Sequence, residues 1–361
     1  MSAPERIHTY NGVVYDSARW NKFTLRADDI IVCTPPKCGT TWTQMLCALL
    51  VHQSATLPQP LTRLSRWLDR LAQPIEEVVA DFDAQPFRRV IKTHTPLDGL
   101  PFDARVSYVV CGRDPRDAFL SMIDHLHNFS DETVAEIMRR LGAPGTSLPF
   151  SDDPNVLFPI WMTMPEMPWM EEGFPWGSVF YCMRSFWRFR TLNNTMFLHY
   201  ADLSDELDAE MRRLSAFLGI PVDEAKWPSL VAGGCFAAMK GIGEDAAPGA
   251  HLGEWRDAKA FFRTARRGQW REALSPANLA LYDKLSAERL DPQLKAWLES
   301  GRRRGSEGGV KGLTESVRPL IASGSPPRRR SCEEESRNDR ISAPSAGCGE
   351  ILIQHIDHYS F

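Results

Sequence analysis

The chain lacks the features that mark several large classes of protein. None of its eight cysteines belongs to a CxxC pair, so neither a disulfide framework nor a zinc site is expected. It has no apolar run of about eighteen residues, and its N-terminus has no basic start followed by an apolar stretch. The formal net charge is only −4 over 361 residues, which gives no sign of a nucleic-acid partner. We therefore predict a cytoplasmic protein without a transmembrane segment.

What the chain does contain is an alternation of short apolar runs with amphipathic stretches. DIIVC precedes TWTQMLCALLVH, RRVIKTH follows, RVSYVVC precedes RDAFLSMIDHLHNF, and NTMFLHY precedes LSDELDAEMRRLSAFLGI. This alternation is typical of βαβ units, and it predicts an α/β fold with a central parallel sheet flanked by helices. Ligands of such sheets bind beyond the carboxyl ends of the strands. Four residues are thereby placed along one edge: Lys37, His94, Arg113 and Tyr200.

The stretch TPPKCGTTW, residues 34–42, joins the first predicted strand to the first predicted helix. A helix N-terminus offers unpaired N–H groups and the positive end of the helix dipole, and both favour an anion. Gly39 lets a phosphate approach closely, and Lys37 adds a mobile positive charge. Thr40 and Thr41 add hydroxyl donors. Because the lysine precedes the glycine and no Walker-B aspartate is found, we predict a P-loop-like anion site that differs from the P-loop of ATPases and GTPases.

A second anion clamp is predicted after the third strand, in GRDPRDAFLSMIDH. Arg113 stands at the end of the strand, and Ser121 lies eight residues later in the following helix. Two such groups can hold one phosphate from two sides. Together with the first loop, this clamp predicts a ligand that carries two separated phosphate-like groups.

Five segments then carry a family resemblance. PKCGTTW, KTHTP, RDPRDAFLS, HYADL and FFRTARRGQW occur in the order and at about the spacing of the cytosolic-type sulfotransferases. These enzymes use 3'-phosphoadenosine 5'-phosphosulfate (PAPS) as donor and release 3'-phosphoadenosine 5'-phosphate (PAP). The stretch IKTHTPLDGLPFDARVSYVVCGRDPRDA is especially similar to the mycobacterial glycolipid sulfotransferases. The resemblance runs from about residue 29 to residue 297, and it implies a sulfotransferase domain over residues 1–299.

The resemblance also implies residue roles. The loop would bind the 5'-phosphosulfate, Arg113 and Ser121 the 3'-phosphate, Tyr200 the adenosine, and Trp42 with Phe236 the adenine ring. The residues implied to bind the nucleotide, apart from the late loop, are Lys37, Cys38, Gly39, Thr40, Thr41, Trp42, Arg113, Ser121, Tyr200, Cys235, Phe236 and Met239.

The late loop FFRTARRGQW departs from the family pattern. Arg263 falls on the signature arginine, but Thr264 and Ala265 stand where lysine and glycine are usual. Alternatively, Arg267 and Gly268, with the arginine before them, form the signature in a shortened loop. We favour Arg263 and include Arg267 and Gly268 among the predicted nucleotide contacts.

Sulfuryl transfer is expected to resemble phosphoryl transfer, with in-line geometry and stabilisation of charge on the moving group. Lys37 and Lys92 can supply that stabilisation, so no metal is expected. His94, within KTHTP, is the predicted general base, because an ordinary histidine pKa near ~6.5 suits this role. His125 and the nearby His127 could face the acceptor or have a packed or solvated role. His52 and His199 are expected to be structural.

Two segments have a different composition from the rest. Residues 126–187 are rich in proline, methionine and tryptophan, and are predicted to form an insertion over the active-site edge. Lining of an apolar acceptor pocket and core packing both explain these residues. Residues 300–361 carry charge blocks and few core-forming residues, and are predicted to be a disordered tail.

The predicted function is transfer of the sulfuryl group from PAPS to a hydroxyl of a lipophilic acceptor, which is a glycolipid, an alcohol or a phenol. Two alternatives stay open. An inactive PAP- or PAPS-binding relative is suggested by the altered RTARRG loop, and an ATP-dependent P-loop kinase would require magnesium. The sequence predicts no oligomeric state.

Overall fold

The fold is described from a computed structural model that covers residues 3–147, 151–175, 177–262 and 266–304. Its centre is a parallel sheet of four strands, β1 Ile30–Cys33, β2 Val90–Thr93, β3 Ser107–Gly112 and β4 Thr195–His199. Their order across the sheet is β2-β1-β3-β4. In register, Ile30 of β1 pairs with Val90 of β2 and Ser107 of β3, and Tyr108 of β3 pairs with Thr195 of β4. The predicted α/β fold with a central parallel sheet is confirmed.

Helices cover both faces of the sheet, and α15 has a break at Gly301. The helices are α1 Thr40–His52, α2 Leu61–Leu64, α3 Ile75–Asp83, α4 Pro115–His127, α5 Asp131–Arg140, α6 Pro154–Thr163, α7 Val179–Trp187, α8 Tyr200–Asp205, α9 Leu207–Leu218, α10 Trp227–Gly234, α11 Phe236–Gly241, α12 Gly243–Ala246, α13 Trp270–Ala273, α14 Pro276–Arg289 and α15 Pro292–Arg304. Short 3-10 helices span Ser17–Lys22, Leu97–Gly99, Glu224–Lys226, Ala250–Leu252 and Lys259–Phe261.

The strands are apolar runs because both faces of the sheet are buried. Alternate side chains of a strand point to opposite faces. Ile31 and Val110 therefore pack into one core with α4, α6, α7, α14 and α15, whereas Ile30 and Val109 pack into a second core with α1, α9 and α10. The four β1 side chains are fully buried. This two-sided packing fixes the carboxyl edge of the sheet.

The segment at 126–187 is largely built into the fold. It forms α5, α6 and α7, and its side chains Phe158, Met162, Phe180 and Phe186 are fully buried in the core beside the sheet. Core packing therefore accounts for much of its Met- and aromatic-rich composition. Three parts of the segment reach the cavity described below: residues 128–129 after α4, the connection between α6 and α7, and Cys182 on α7.

The C-terminal end of the described chain is α15, which extends to Arg304, five residues past the predicted domain boundary at 299. The rest of the predicted tail lies outside the described residues. All of the described residues belong to one compact unit. No helix among them has both the length and the apolar character needed to cross a bilayer.

Candidate active site

The residues that follow the four strands meet at one cavity of about 240 Å³. Lys37 follows β1, His94 follows β2, Arg113 follows β3 and Tyr200 follows β4, and all four line the cavity. Parallel strands bring their carboxyl ends to one edge, so a shared location follows from the topology. These four residues together supply two cations, an imidazole and a phenol to one cavity.

The loop after β1 has an unusual backbone. Lys37 has a φ of 64° and Gly39 a φ of 97°, while Cys38 between them is not left-handed. Alternating hands of this kind turn successive N–H groups toward one point and form an anion-binding nest. A Cβ on Gly39 would lie 3.2 Å from Cys111 Sγ and 3.2 Å from Tyr200 Cδ2. Glycine is therefore required here by both conformation and space.

The first turn of α1 forms one wall of the cavity. Gly39 is its N-cap and provides no side-chain cap, so the first N–H groups of the helix lack an intrahelical or side-chain partner. Thr40 and Thr41, buried in this turn, also line the cavity. The Thr40 hydroxyl hydrogen-bonds the Thr34 hydroxyl, which holds the loop against the helix. This wall is arranged to accept a negative charge.

Two lysines line the same cavity, Lys92 buried and Lys37 partly buried. Burial, followed by the charge of Arg113, lowers the pKa of Lys37 to about 7, and Asp124 opposes the shift. Burial, followed by Arg70 and Lys37, lowers the pKa of Lys92 to about 7. The Lys92 Nζ lies 4.5 Å from the centre of the Trp67 ring. Because each cation disfavours the other in this low-dielectric space, an anionic ligand would stabilise both.

His94 has one defined hydrogen bond. Its Nδ1 lies 2.7 Å from the carbonyl oxygen of Thr34. A carbonyl only accepts, so Nδ1 carries the proton and Nε2 keeps its lone pair. Burial, followed by Lys92, holds the pKa of His94 well below its usual value, so the ring is neutral at neutral pH. The cavity therefore holds a neutral imidazole with an unprotonated Nε2, and its lowered pKa corrects the ordinary value that the sequence suggested.

Arg113, directly after β3, and Ser121, on α4, form the predicted second anion clamp. The Arg113 guanidinium donates to the Lys37 carbonyl at 3.1 Å and stacks over the Tyr200 ring at 4.5 Å. Its buried Nε has no hydrogen-bond partner within the described part of the chain. Ser121 lies on α4, two turns along, and lines the cavity. An unsatisfied buried donor calls for an acceptor, and the pair fits a second phosphate.

An aromatic and sulfur-containing surface lies next to this clamp. Trp42, Phe236 and Met239 line the cavity, and Trp42 Nε1 donates to the Gly234 carbonyl at 2.7 Å. Trp42 also packs edge-on against Tyr200, with ring centres 5.4 Å apart. These groups are suited to the faces of a flat ring system.

The remaining predicted contacts are placed differently. Cys38 is fully buried behind the loop, and the Cys235 Sγ accepts from the Ala238 N–H at the start of α11. Neither lines the cavity. The direct nucleotide contacts predicted for Cys38 and Cys235 therefore stay predictions.

The late loop is only partly described, and Arg263 lies outside the described residues. Arg267 pairs with Asp205 at 2.6 Å, and the Gly268 N–H donates to Asp117 Oδ2 at 2.7 Å. Neither Arg267 nor Gly268 lines the cavity, whereas Arg266 does. The assignment of the signature arginine therefore stays a prediction.

Of the other four histidines considered in the sequence analysis, His125 lines the cavity and the remaining three do not. His125 lines the cavity, with its Nδ1 3.2 Å from Lys37 Nζ, whereas His127 is exposed, with its Nε2 3.0 Å from Asp152 Oδ1. His199 is buried, donates from Nε2 to the Leu298 carbonyl at 3.0 Å and accepts on Nδ1 from the Ala201 N–H at 3.1 Å. His52 packs against Phe87.

The sequence motifs did not predict most of the cavity wall that lies opposite the loop after β1. That wall is formed largely by connections between elements, with no motif to mark them. A composition signal existed only for the Met-rich stretch after α6. The residues missed include Val13, Val14, Tyr15, Trp67, Arg70, Met122, Phe129, Glu166, Met170, Trp255 and Phe261.

The fold and site define a P-loop-like class of α/β protein, in which a strand, a cationic loop and a helix N-terminus bind phosphate-like groups. The family model for the sulfotransferase domain matches residues 27–293. The chain is 37% identical over 308 residues to a glycolipid sulfotransferase of Mycobacterium tuberculosis. The matched region covers 81% of this chain and 94% of that relative. It is 24% identical over 280 residues to Sulfotransferase 2B1 of Mus musculus, with 75% and 73% covered.

Two solved structures share the fold. Mouse sulfotransferase SULT7A1 complexed with PAP has a TM-score of 0.55 at 20% identity, over 75% of this chain and 88% of that one. Retinol dehydratase in complex with retinol and PAP has a TM-score of 0.55 at 19% identity, over 77% and 87%. The chain belongs to the sulfotransferase family. The predicted family and enzyme class are confirmed.

Proposed function

We propose that this protein transfers the sulfuryl group of PAPS to a hydroxyl of a lipophilic acceptor, and that glycolipids are the first class to test. One observation carries the proposal: the cationic loop with Lys37, the buried Lys92 of β2 and a neutral histidine with an unprotonated Nε2 line the same cavity. The glycolipid sulfotransferase of M. tuberculosis supports the choice of acceptor, and the two PAP-bound neighbours support the choice of donor.

The donor would lie along the carboxyl edge of the sheet. When bound, it supplies the sulfuryl group that is transferred. The nest at Lys37 and Gly39 and the first turn of α1 would hold its 5' side, and Arg113 with Ser121 would hold the 3'-phosphate. Trp42 and Phe236 would contact the adenine ring. Arg263 and Arg267 are proposed as further contacts through the late loop.

His94 would act as the general base. Its Nδ1–H is fixed on the Thr34 carbonyl, so Nε2 is the atom that takes the proton of the acceptor hydroxyl. Lys37 and Lys92, both close to this group, would offset negative charge on the moving sulfuryl group and the leaving oxygen. The chain thus has its own cations for an in-line transfer, and we propose that turnover persists in a chelator.

The base assignment is tested by His94→Ala. Turnover of labelled PAPS with a panel of alkyl glycosides, alkanols and phenols should fall about 10²- to 10⁴-fold, because general-base help is typically of that size. PAP affinity, measured by calorimetry, should change less than about threefold, since His94 has no proposed contact with the nucleotide phosphates.

His127→Ala is the matched control, because His127 is exposed beside Asp152 and does not line the cavity. This variant should retain wild-type turnover. A His94→Ala protein that loses PAP affinity but keeps its turnover number would show that His94 binds the donor and is not the base.

A second candidate is a nucleotide-binding relative without turnover. It is favoured by the late loop, where Arg267 pairs with Asp205 instead of lining the cavity. This alternative predicts PAP binding with no labelled product from any acceptor. A cytoplasmic location is part of the main proposal, and the six described cysteines are free thiols, as is usual in a reducing compartment.

A further inference from the structure

Glu166 places a carboxyl group in the cavity wall opposite the loop after β1. We call this wall the acceptor side. Glu166 lies in the connection between α6 and α7, and the residues around it in the cavity are mainly apolar. Val14 and Met170 belong to the same wall, and they contribute no hydrogen-bonding side chain. A carboxyl in apolar surroundings has a large desolvation cost unless it is hydrogen-bonded.

Tyr15 is the partner of this carboxyl. The Tyr15 hydroxyl interacts with the Glu166 carboxyl and acts to lower its pKa, and both side chains line the cavity. The Glu166 Oε2 atom is buried and has no hydrogen-bond partner among residues 3–147, 151–175, 177–262 and 266–304. The Glu166 Oε2 atom is therefore available to form a hydrogen bond with a ligand.

Two glycines pack close to the pair. A Cβ on Gly12 would lie 3.3 Å from Glu166 Oε1 and only 2.5 Å from the Tyr15 ring. A Cβ on Gly177, whose φ is 106°, would lie 3.9 Å from Glu166 Oε2. The carboxyl is thus packed between two segments that are far apart in the sequence. A group fixed in this way can select a ligand by hydrogen-bond geometry.

The charge state of the pair indicates the chemistry that it would recognise. Burial raises the pKa of Glu166 to about 8, and the Tyr15 hydroxyl opposes the shift only in part. At neutral pH the group is a neutral carboxylic acid, which can donate through its O–H and accept through its carbonyl. A neutral hydroxyl, itself donor and acceptor, complements it.

We propose that Glu166, oriented by Tyr15, is an acceptor-specificity residue that hydrogen-bonds a second hydroxyl of the acceptor and so selects polyhydroxylated lipophilic acceptors over simple alcohols. The inference rests on the proposed function. In this proposal the hydroxyl that Glu166 recognises is distinct from the reacting hydroxyl, whose proton goes to His94. The apolar remainder of the wall would take the alkyl part of the same molecule.

The test compares octyl β-glucoside, below its micelle-forming concentration, with 1-octanol. The readout is the ratio of the two kcat/KM values. Glu166→Leu should lower this ratio about tenfold or more, because a site built to hydrogen-bond a hydroxyl loses its discrimination when the polar group is removed. Glu166→Gln keeps a donor and an acceptor, and should retain the ratio within about threefold.

Glu172→Gln is the matched control. Glu172 is a buried carboxyl on the same connection, but it accepts from Ser178 and from the N–H groups of Phe180 and Tyr181 at the start of α7, and it does not line the cavity. Its ratio should equal that of the wild type. Equal PAP affinity in all variants, measured by calorimetry, would show that the nucleotide side is folded.

A second readout does not depend on turnover. Octyl β-glucoside binding to the PAP-loaded protein should be weakened about tenfold or more in Glu166→Leu and less in Tyr15→Phe, which keeps the ring and removes the orienting hydroxyl. If the wild type sulfates no acceptor, the proposed function fails, and this binding difference still decides the role of Glu166.

Two results would overturn the inference. One is an unchanged selectivity ratio and unchanged glucoside binding in Glu166→Leu. The other is a wild-type preference for octylamine over octyl β-glucoside that disappears in Glu166→Leu, because the carboxyl would then recognise a cation. Should Glu166→Leu fail to fold, unchanged glucoside binding in Tyr15→Phe together with a changed ratio in Glu172→Gln would equally refute it.

Discussion

The two sides of the cavity are built in different ways. On the donor side, Lys37, His94, Arg113 and Tyr200 each lie within four residues of the end of a parallel strand. On the acceptor side, the lining comes from segments between elements, such as Tyr15 near the N-terminus and Glu166 between α6 and α7. The donor side is therefore fixed by sheet topology, and the acceptor side by the packing of connections.

This difference separates what a family shares from what one member selects. Any parallel sheet brings its strand ends together, so a nucleotide site at that edge needs only a few short motifs. The packing of connections can change without disturbing the sheet, because loops tolerate variation far better than strands do. We expect substitutions on the donor side to affect nucleotide binding, and those on the acceptor side to change acceptor choice.

The largest effect on nucleotide binding is expected for Arg113→Ala. A hydrogen bond to a charged group contributes about 1.5 to 3 kcal/mol, so PAP affinity should fall about 10- to 150-fold. Adenosine 5'-phosphosulfate, which lacks the 3'-phosphate, should be affected much less. Calorimetric titration of both ligands measures the two losses.

The control for this prediction is Arg212→Ala, on the surface of α9, where the arginine pairs with Asp208 and Glu224. It should bind both nucleotides as the wild type does. An Arg113→Ala loss of the same size for both ligands would place Arg113 elsewhere than at the 3'-phosphate.

A second, smaller effect sharpens the comparison through pH. Lys37 and Lys92 have pKa values lowered to about 7, chiefly by burial, so both lose their charge as the pH rises above 7. Bound phosphates favour the charged forms and raise both pKa values. PAP affinity should thus be greatest below pH 7 and should fall above it, by at most about tenfold per pH unit for each lysine.

Calorimetry in buffers of different ionisation enthalpy should show proton uptake on PAP binding at pH 8. Lys37→Met and Lys92→Met should each reduce this uptake. A PAP affinity that is flat between pH 7 and pH 9 would mean that the lysines are already charged in the free protein, or that they do not contact the nucleotide.

Much of the donor side was predictable from particular residues. Asp114 followed by Pro115 marks the start of α4, and the structure shows Asp114 accepting from the Arg116 N–H there. The apolar runs predicted the strands because both faces of the sheet are buried. Gly39 was predicted to allow a close approach, and its left-handed φ adds a reason that composition alone does not reveal.

The acceptor side was not predictable for a physical reason. Tyr15 and Glu166 are 151 residues apart, and tertiary packing of the N-terminal segment against the connection between α6 and α7 brings them together. No periodicity or short motif encodes such a contact. The orientation of His125 toward Lys37 and of His127 toward Asp152 likewise depends on the phase of α4 against its neighbours, which the sequence left undecided.

The central claim is that the edge of the sheet holds a nucleotide with two separated phosphates. Thermal melting with PAP, compared with ADP and with ATP plus magnesium, tests it most directly. PAP at 100 times its dissociation constant should stabilise the fold by about 2.7 kcal/mol, and the other nucleotides at the same concentration should stabilise it much less. Absence of stabilisation by PAP, or stronger stabilisation by ATP with magnesium, would contradict the claim.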